Sequence, residues 1–235
     1  MANNEHTSKQ FDAELEAVRA RVLQMGGLVE SQIRLAVESL VSGDVALMNK
    51  VIGDDHRVNA MEVEIDESCS RILVRRQPAA GDLRMVMTVI KTITDLERIG
   101  DEAEKIARMA KLLSQQERLR LPRYNEIKRA AEIALDMLRK SLDAFARLDL
   151  ATAATVVRQD ELVDEEFRAI MRYLITFMME DPRTISTSLE ILFVAKAIER
   201  IGDHAKNMSE YVVYMVKGRD VRHVTVEEIE REVKQ

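Results

Sequence analysis

The chain is poor in the residues that build turns, disulfides and aromatic cores. Its 235 residues include no Trp, one Cys, three Pro and eight Gly, and aromatic residues make up only 4%. A single cysteine excludes an internal disulfide framework. The scarcity of Pro, Gly and aromatic residues leaves little material for the many strands and turns of a β-sandwich or barrel. The chain is instead rich in Ala, Leu, Met, Glu, Arg and Lys, which favours an all-α protein.

Long hydrophobic runs and a positive net charge are also absent. The longest apolar runs, such as I-L-F-V-A at residues 191–195, are far shorter than the roughly 20 residues of a membrane-spanning helix. The formal net charge of −6 argues against general nucleic-acid binding, which requires a basic face. The sequence also lacks a recognisable signal peptide. We therefore expect a soluble cytoplasmic protein that binds no nucleic acid.

Sparse helix-breaking signals divide the chain into six long helical segments. The predicted helices cover residues 9–41, 44–76, 78–114, 123–147, 149–180 and 182–217. Asp44 is a good N-cap residue, and Pro78 and Pro182 suit a first helical turn. The pattern T-V-E-E from Thr225 matches a capping box and predicts a short terminal helix.

The two halves of the chain repeat each other. Leu148 stands 105 positions after Gly43 in a similar segment, Pro182 stands 104 after Pro78, and a second E-R-I-G-D follows the first by 102. The pattern predicts two tandem antiparallel three-helix bundles in an elongated molecule. We expect a frayed N-terminus at residues 1–8, repeats at 9–118 and 119–217, and a C-terminal tail at 218–235 with a possible short helix.

The repeated motif places paired acids on a helix face. Glu97 and Asp101 are four residues apart and therefore lie on one face, and Glu199 and Asp203 repeat the arrangement. Both pairs flank an apolar seam. Because an unpartnered buried carboxylate is costly, a positive charge must lie nearby. Hard cations and iron prefer oxygen ligands, so a metal is one candidate.

Oxygen-bearing side chains recur on the second helix of each half. They follow seam spacing at positions 55, 59, 62 and 66, and acids recur at 160 and 164; the second array is shorter because Phe167 and Met171 follow. The candidate metal ligands are Glu97, Asp101, Glu199, Asp203, Asp55, Glu62, Asp160 and Asp164, with Asn59, Asp66 and Glu104 as further candidates.

Other interpretations of the same residues remain open. Arg98 and Arg200 could pair with the acids, which would make the motif a structural element of a helical scaffold that binds no metal. Paired acids could alternatively hold metals in a carboxylate-bridged enzyme, although no histidine lies in the seam. We expect His204 to be a surface residue and Cys69 to be a packed small side chain.

Six helices in two repeats, each with E-R-I-G-D, resemble the PhoU family of bacterial phosphate-signalling regulators. The resemblance extends from about residue 11 to 217 and includes the opening F-D-A-E-L-E-A-V-R-A-R. It implies a cytoplasmic, non-enzymatic homodimer that restrains the phosphate-starvation response and phosphate uptake. The implied partners are the phosphate ABC transporter and a sensor histidine kinase, with membrane association only through them.

The resemblance also implies multinuclear iron or zinc clusters on the acidic motifs. Carried onto this chain, the ligands are Glu97, Asp101, Glu199 and Asp203, joined by the acids of the second helices. Asn59 departs from the acid at the equivalent Asp164, which argues against two identical clusters. Oxygen sites of this kind accept several metals, so manganese and magnesium remain alternatives.

Overall fold

The computed structural model describes residues 9–115, 124–222 and 224–234, which form helices without a strand in these ranges. The elements are α1 (Lys9–Ser42), α2 (Val45–Arg76), α3 (Ala80–Gln115), α4 (Tyr124–Arg147), α5 (Leu150–Glu180), a 3-10 turn (Pro182–Thr184), α6 (Ile185–Lys217) and α7 (Val226–Lys234). The predicted all-α fold is confirmed, and none of these helices is long and apolar enough to cross a membrane.

Aspartate caps start the second helix of each half. The Asp44 carboxylate accepts hydrogen bonds from the backbone N–H groups of residues 46 and 47 at 2.9 and 3.2 Å. Asp149 caps α5 in the same way, at 2.9 and 3.2 Å from residues 151 and 152. Each cap satisfies N–H groups that have no partner within the helix. The matching caps agree with the sequence duplication.

The prolines mark helix starts less closely than predicted. Gln77 adopts a left-handed conformation with φ of 47° and closes α2, so α3 begins at Ala80 rather than at Pro78. Pro182 opens a 3-10 turn, and α6 follows from Ile185. The predicted capping box is present, because Thr225 and Glu228 exchange hydrogen bonds of 3.1 and 3.3 Å at the start of α7.

The helices pack as two three-helix units that share one core. Helices α1, α2 and α3 pack together, as do α4, α5 and α6, and the halves meet where α3 packs on α6 and α1 on α4. Buried side chains such as Met25, Ile99, Phe145 and Ile201 belong to a single hydrophobic cluster. The predicted frayed residues 1–8 and the domain boundary at 118–119 lie outside the described residues, so these limits stay predictions.

Glycines of the repeated motif lie where a neighbouring helix comes close. A Cβ on Gly100 would lie 3.3 Å from Gln32 Oε1 and 3.4 Å from a methyl group of Val58. A Cβ on Gly202 would lie 3.4 Å from two methyl groups of Val163. The missing side chain therefore lets α2 approach α3, and α5 approach α6, beside the acidic residues.

Candidate metal centres

The first acidic cluster lies between α2 and α3. Burial raises the pKa of Glu97, and the charges of Asp101, Glu62 and Asp55 raise it further. Burial followed by the charge of Glu104 raises the pKa of Asp101. Mutual repulsion of this kind shows that the fold brings these five predicted acids together. A cation among them would relieve the repulsion.

Asp55 is the most enclosed acid of the first cluster. Only 8% of the residue is exposed, and burial is the main reason why its pKa is raised. Asn59 Nδ2 donates a hydrogen bond of 3.3 Å to Asp55 Oδ2. Asp55 Oδ1 and the amide of Gln32 are both buried beside Gly100, and hydrogen bonding from Asn59 and Gln32 opposes the rise in the Asp55 pKa. A carboxylate that stays buried with only amide partners could also accept a cation here.

The second acidic cluster lies between α5 and α6 and contains Asp160, Asp164, Glu199 and Asp203. Burial raises the pKa of Asp203 to about 6, and the charges of Glu199 and Asp160 act in the same direction. Glu199 and Asp164 are half-buried, whereas Asp160 is buried. All four predicted ligands of the second half are therefore gathered at one place.

Two acids of the second cluster already form ion pairs with lysine side chains. Lys196 Nζ lies 2.5 Å from Glu199 Oε2, and Lys206 Nζ lies 2.7 Å from Asp160 Oδ2. Lys196 also lies over the ring of Phe167, 5.4 Å from its centroid. Phe167, which shortens the acidic array, thus helps to hold a cation against the motif. The two clusters therefore differ in structure, because lysine side chains contact two acids of the second cluster.

The further candidate residues differ in their positions. Asn59 and Asp66 are exposed on α2, and the charge of Asp66 acts on the buried Cys69. Burial raises the pKa of this thiol to about 12, in agreement with the predicted packed side chain. Glu104 is half-buried and pairs with Arg108.

Neither cluster is preassembled as a metal site. Within the described ranges, no group of three or more His, Cys, Asp or Glu side chains is arranged to hold a metal ion. The donor set nevertheless suits a hard or borderline cation, since it consists of carboxylates with one amide. Ligation would require rotations of side chains such as Glu62, Glu97 and Glu104, which are only partly buried.

The prediction that His204 is a surface residue is wrong. His204 is 7% exposed, and its Nδ1 lies 2.7 Å from Asp95 Oδ1 at the contact between α6 and α3. The helical position beside Asp203 points it toward the other half of the molecule rather than toward solvent. Sequence spacing carries no signal for this pair, because its members are 109 positions apart.

Arg200 also acts between the halves rather than within the motif. Its Nη1 lies 2.5 Å from Glu102 Oε1, and the side chain of Glu102 is 6% exposed. Lys105 Nζ contacts the other oxygen of Glu102 at 3.2 Å. The ion-pair partner of this arginine is therefore the buried acid that directly follows Asp101, and the charge of Arg200 also acts to lower the pKa of Asp101.

Known proteins resemble this chain over nearly its whole length. It is 47% identical to the phosphate-specific transport system accessory protein PhoU of Escherichia coli K12, over 97% of this chain and 94% of that protein. It is 48% identical to a PhoU homolog of Pseudomonas putida, over 97% of this chain and 89% of that protein.

Solved structures show the same fold. The crystal structure of PhoU from Pseudomonas aeruginosa matches with a TM-score of 0.85 and 48% identity, covering 89% of this chain and all of that one. The phosphate transport system regulatory protein PhoU of Streptococcus pneumoniae matches with a TM-score of 0.83 and 28% identity, covering 90% and 99%. A sequence model of the PhoU domain matches residues 22–110 and again 127–212. The chain belongs to the PhoU family.

Proposed function

We propose that the chain is a negative regulator of the phosphate-starvation response and of phosphate uptake. It acts as a non-enzymatic, metal-binding adaptor between the phosphate ABC transporter and a sensor histidine kinase. The observation that carries this proposal is the match, along 97% of the chain, to relatives named phosphate-specific transport system accessory protein. Regulation of this kind requires the adaptor to bind two states of a partner with different affinity.

The occupied second cluster supports a structural rather than a catalytic use of the acids. Catalytic metal sites keep a coordination position open for water or substrate. Lys196 and Lys206 instead contact Glu199 and Asp160 directly. A metal held at either cluster would tie the second helix of that half to the third. An enzyme in the same fold would need an acid–base group aimed into the seam, and His204 is aimed at Asp95.

The first cluster is the better candidate for metal. Burial and the charges of neighbouring acids raise the pKa of Asp55, Glu97 and Asp101 there. Of the five acids of this cluster, which also include Glu62 and Glu104, Glu104 is the one that forms an ion pair among the described residues, with Arg108. Iron or zinc, or alternatively manganese or magnesium, would neutralise these carboxylates. In the second cluster, which consists of Asp160, Asp164, Glu199 and Asp203, metal would bind only after Lys196 leaves Glu199, Lys206 leaves Asp160 and Arg168 leaves Asp164.

Metal content tests the adaptor's proposed metal sites. We expect native protein, purified without chelator or metal-affinity resin, to hold metal by plasma mass spectrometry. The double variant Glu97→Ala/Asp101→Ala should lose more of it than Glu199→Ala/Asp203→Ala. Circular dichroism checks that both remain helical, and Glu161→Ala, an exposed acid on α5, is the matched control. If native protein and variants all lack metal, even after equilibration with iron, manganese and zinc, the acids are ion-paired structural residues and not metal ligands.

Deletion of the gene tests the regulatory role separately. Alkaline phosphatase activity should rise in phosphate-rich medium, and the native gene supplied in trans should restore repression. Unchanged repression after deletion would contradict the proposal.

Assembly and location complete the proposal. We expect a cytoplasmic homodimer that reaches the membrane only through its partners and binds no nucleic acid. Sedimentation velocity of the full chain should therefore show a species of twice the 26.8 kDa chain mass.

A further inference from the structure

A second charged feature lies away from the acidic clusters, in a cleft between α1 and α2. The cleft has a volume of about 220 Å³ and is lined by Arg21 of α1 and by Arg71, Arg75 and Ser68 of α2. Buried Val18 and Ile72 form part of its lining. We call it the arginine cleft, after Arg21, Arg71 and Arg75.

The arginine cleft carries three positive charges, and two of them, on Arg21 and Arg71, form ion pairs at the surface with Glu64 and Glu67. Arg76 holds Glu14, the acid that lines the cleft, through two hydrogen bonds of 3.0 and 2.7 Å. Among the described residues, no carboxylate lies within ion-pairing distance of Arg75. Arg71 is 3.5 Å from Glu67, and both side chains are more than half exposed. Exposed pairs of this kind are weak and readily exchange partners.

The chemistry of the lining selects a phosphate group. Planar guanidinium groups bind phosphate oxygens with two parallel hydrogen bonds, and three of them approach from two different helices. Buried Val18 and Ile72 form the apolar part of the lining, while Arg71 and Arg75 are exposed and can reach a ligand from solvent. The volume is smaller than the roughly 300–1,000 Å³ of pockets for larger ligands, which suits one phosphate group.

We propose that the arginine cleft binds a phosphate group, either as inorganic phosphate or as a phosphate monoester such as a lipid headgroup. The choice of phosphate rather than another oxyanion rests on the proposed function. The presence of an arginine-lined cleft is independent of that function. The cleft lies near the C-terminal end of α2, where the helix dipole is negative. The dipole opposes anion binding, so affinity depends mainly on the arginine side chains, and removal of one guanidinium should weaken binding clearly.

Equilibrium dialysis with radiolabelled inorganic phosphate, in buffer containing EDTA, tests the cleft without any contribution from bound metal. We expect saturable binding that Arg71→Gln and Arg75→Gln each weaken roughly tenfold or more. Arg75→Lys should retain part of the affinity. The matched control is Arg57→Gln, which removes the same charge from an exposed position of the same helix and should bind as native protein does.

Sedimentation with phosphatidylcholine vesicles containing phosphatidic acid forms the second arm. Binding of vesicles but not of free phosphate, lost in the arginine variants and kept in Arg57→Gln, supports the cleft with a lipid headgroup as its source of phosphate. Phosphate binding that the arginine variants leave unchanged overturns the proposal, as does the absence of binding to either probe. Neither result bears on repression of alkaline phosphatase, so failure of the cleft and failure of the proposed function are distinguishable.

Discussion

Glu210 is a buried acid that makes the stability of the fold depend on pH. It is 8% exposed on α6, and burial raises its pKa to about 7. The unfolded chain releases this proton near the ordinary value of 4.5. The folded protein therefore binds more protons between these values, and its free energy of unfolding falls as pH rises from about 4.5 to about 7.

We expect Glu210→Gln to remove this dependence. The amide keeps the shape of the protonated acid, so the variant should match native protein near pH 4.5. At pH 8 it should be more stable by about 2–3 kcal/mol, since each unit of pKa shift corresponds to about 1.4 kcal/mol. Urea unfolding at a series of pH values measures this difference. The control Glu161→Gln, at an exposed position of α5, should show the same dependence of the free energy of unfolding on pH as native protein. If Glu210→Gln also shows the native dependence on pH, Glu210 does not titrate as described.

Single residues are also where sequence reasoning was weakest. The acids of E-R-I-G-D were found because their spacing of four residues repeats in each half. Asp95, Glu102 and His204 were not found, since each pairs with a residue of the other half and no local spacing encodes such a contact. Arg200 was identified, but its partner, Glu102, was not, although Glu102 lies three residues after the buried Ile99 and is itself buried.

At the scale of helices, Gly26 sets how closely α1 and α4 pack. A Cβ at this position would lie 2.6 Å from both terminal methyl groups of Leu142. We expect Gly26→Ala to reduce the free energy of unfolding by about 1–3 kcal/mol, because the added methyl group overpacks the contact. Thermal unfolding followed by circular dichroism at 222 nm measures the change.

The adjacent glycine provides a matched control. A Cβ on Gly27 would meet nothing within 4 Å, so Gly27→Ala adds only helix propensity and should stabilise the protein by roughly 0.5–1 kcal/mol. If Gly26→Ala lowers the free energy of unfolding and Gly27→Ala raises it, the effect of packing is separated from the effect of helix propensity. Stabilisation by both substitutions would mean that Leu142 moves aside at little cost.

Helix positions were predicted well because the chain carries local signals for them. Asp44 caps α2 as expected, and Asp149 caps α5 in the same way, since a short acidic side chain can satisfy the first N–H groups of a helix. The start of α3 was placed two residues early. Its position depends on the left-handed conformation of Gln77, which residue type does not encode.

For the whole molecule, the repeat predicted two bundles but not how they join. Residues of both halves belong to one hydrophobic cluster, through the packing of α3 on α6 and α1 on α4. The spacing of apolar residues identifies the buried face of a helix but not the helix that covers it. The pairing of the halves therefore depends on three-dimensional complementarity. A shared core of this kind should unfold in a single cooperative transition.

The contact of Asp95 with His204 should couple the two halves. Asp95→Ala removes the buried carboxylate that His204 Nδ1 contacts at 2.7 Å, and we expect a loss of about 3 kcal/mol in the free energy of unfolding. Hydrogen exchange should accelerate in α3 and α6 together, because each loses its buried partner on the other. Asp143→Ala, which removes a highly exposed partner of Arg147, should change stability by no more than about 0.5 kcal/mol. Faster exchange confined to α3 would instead show that the halves unfold independently and that the α3–α6 contact contributes little to their union.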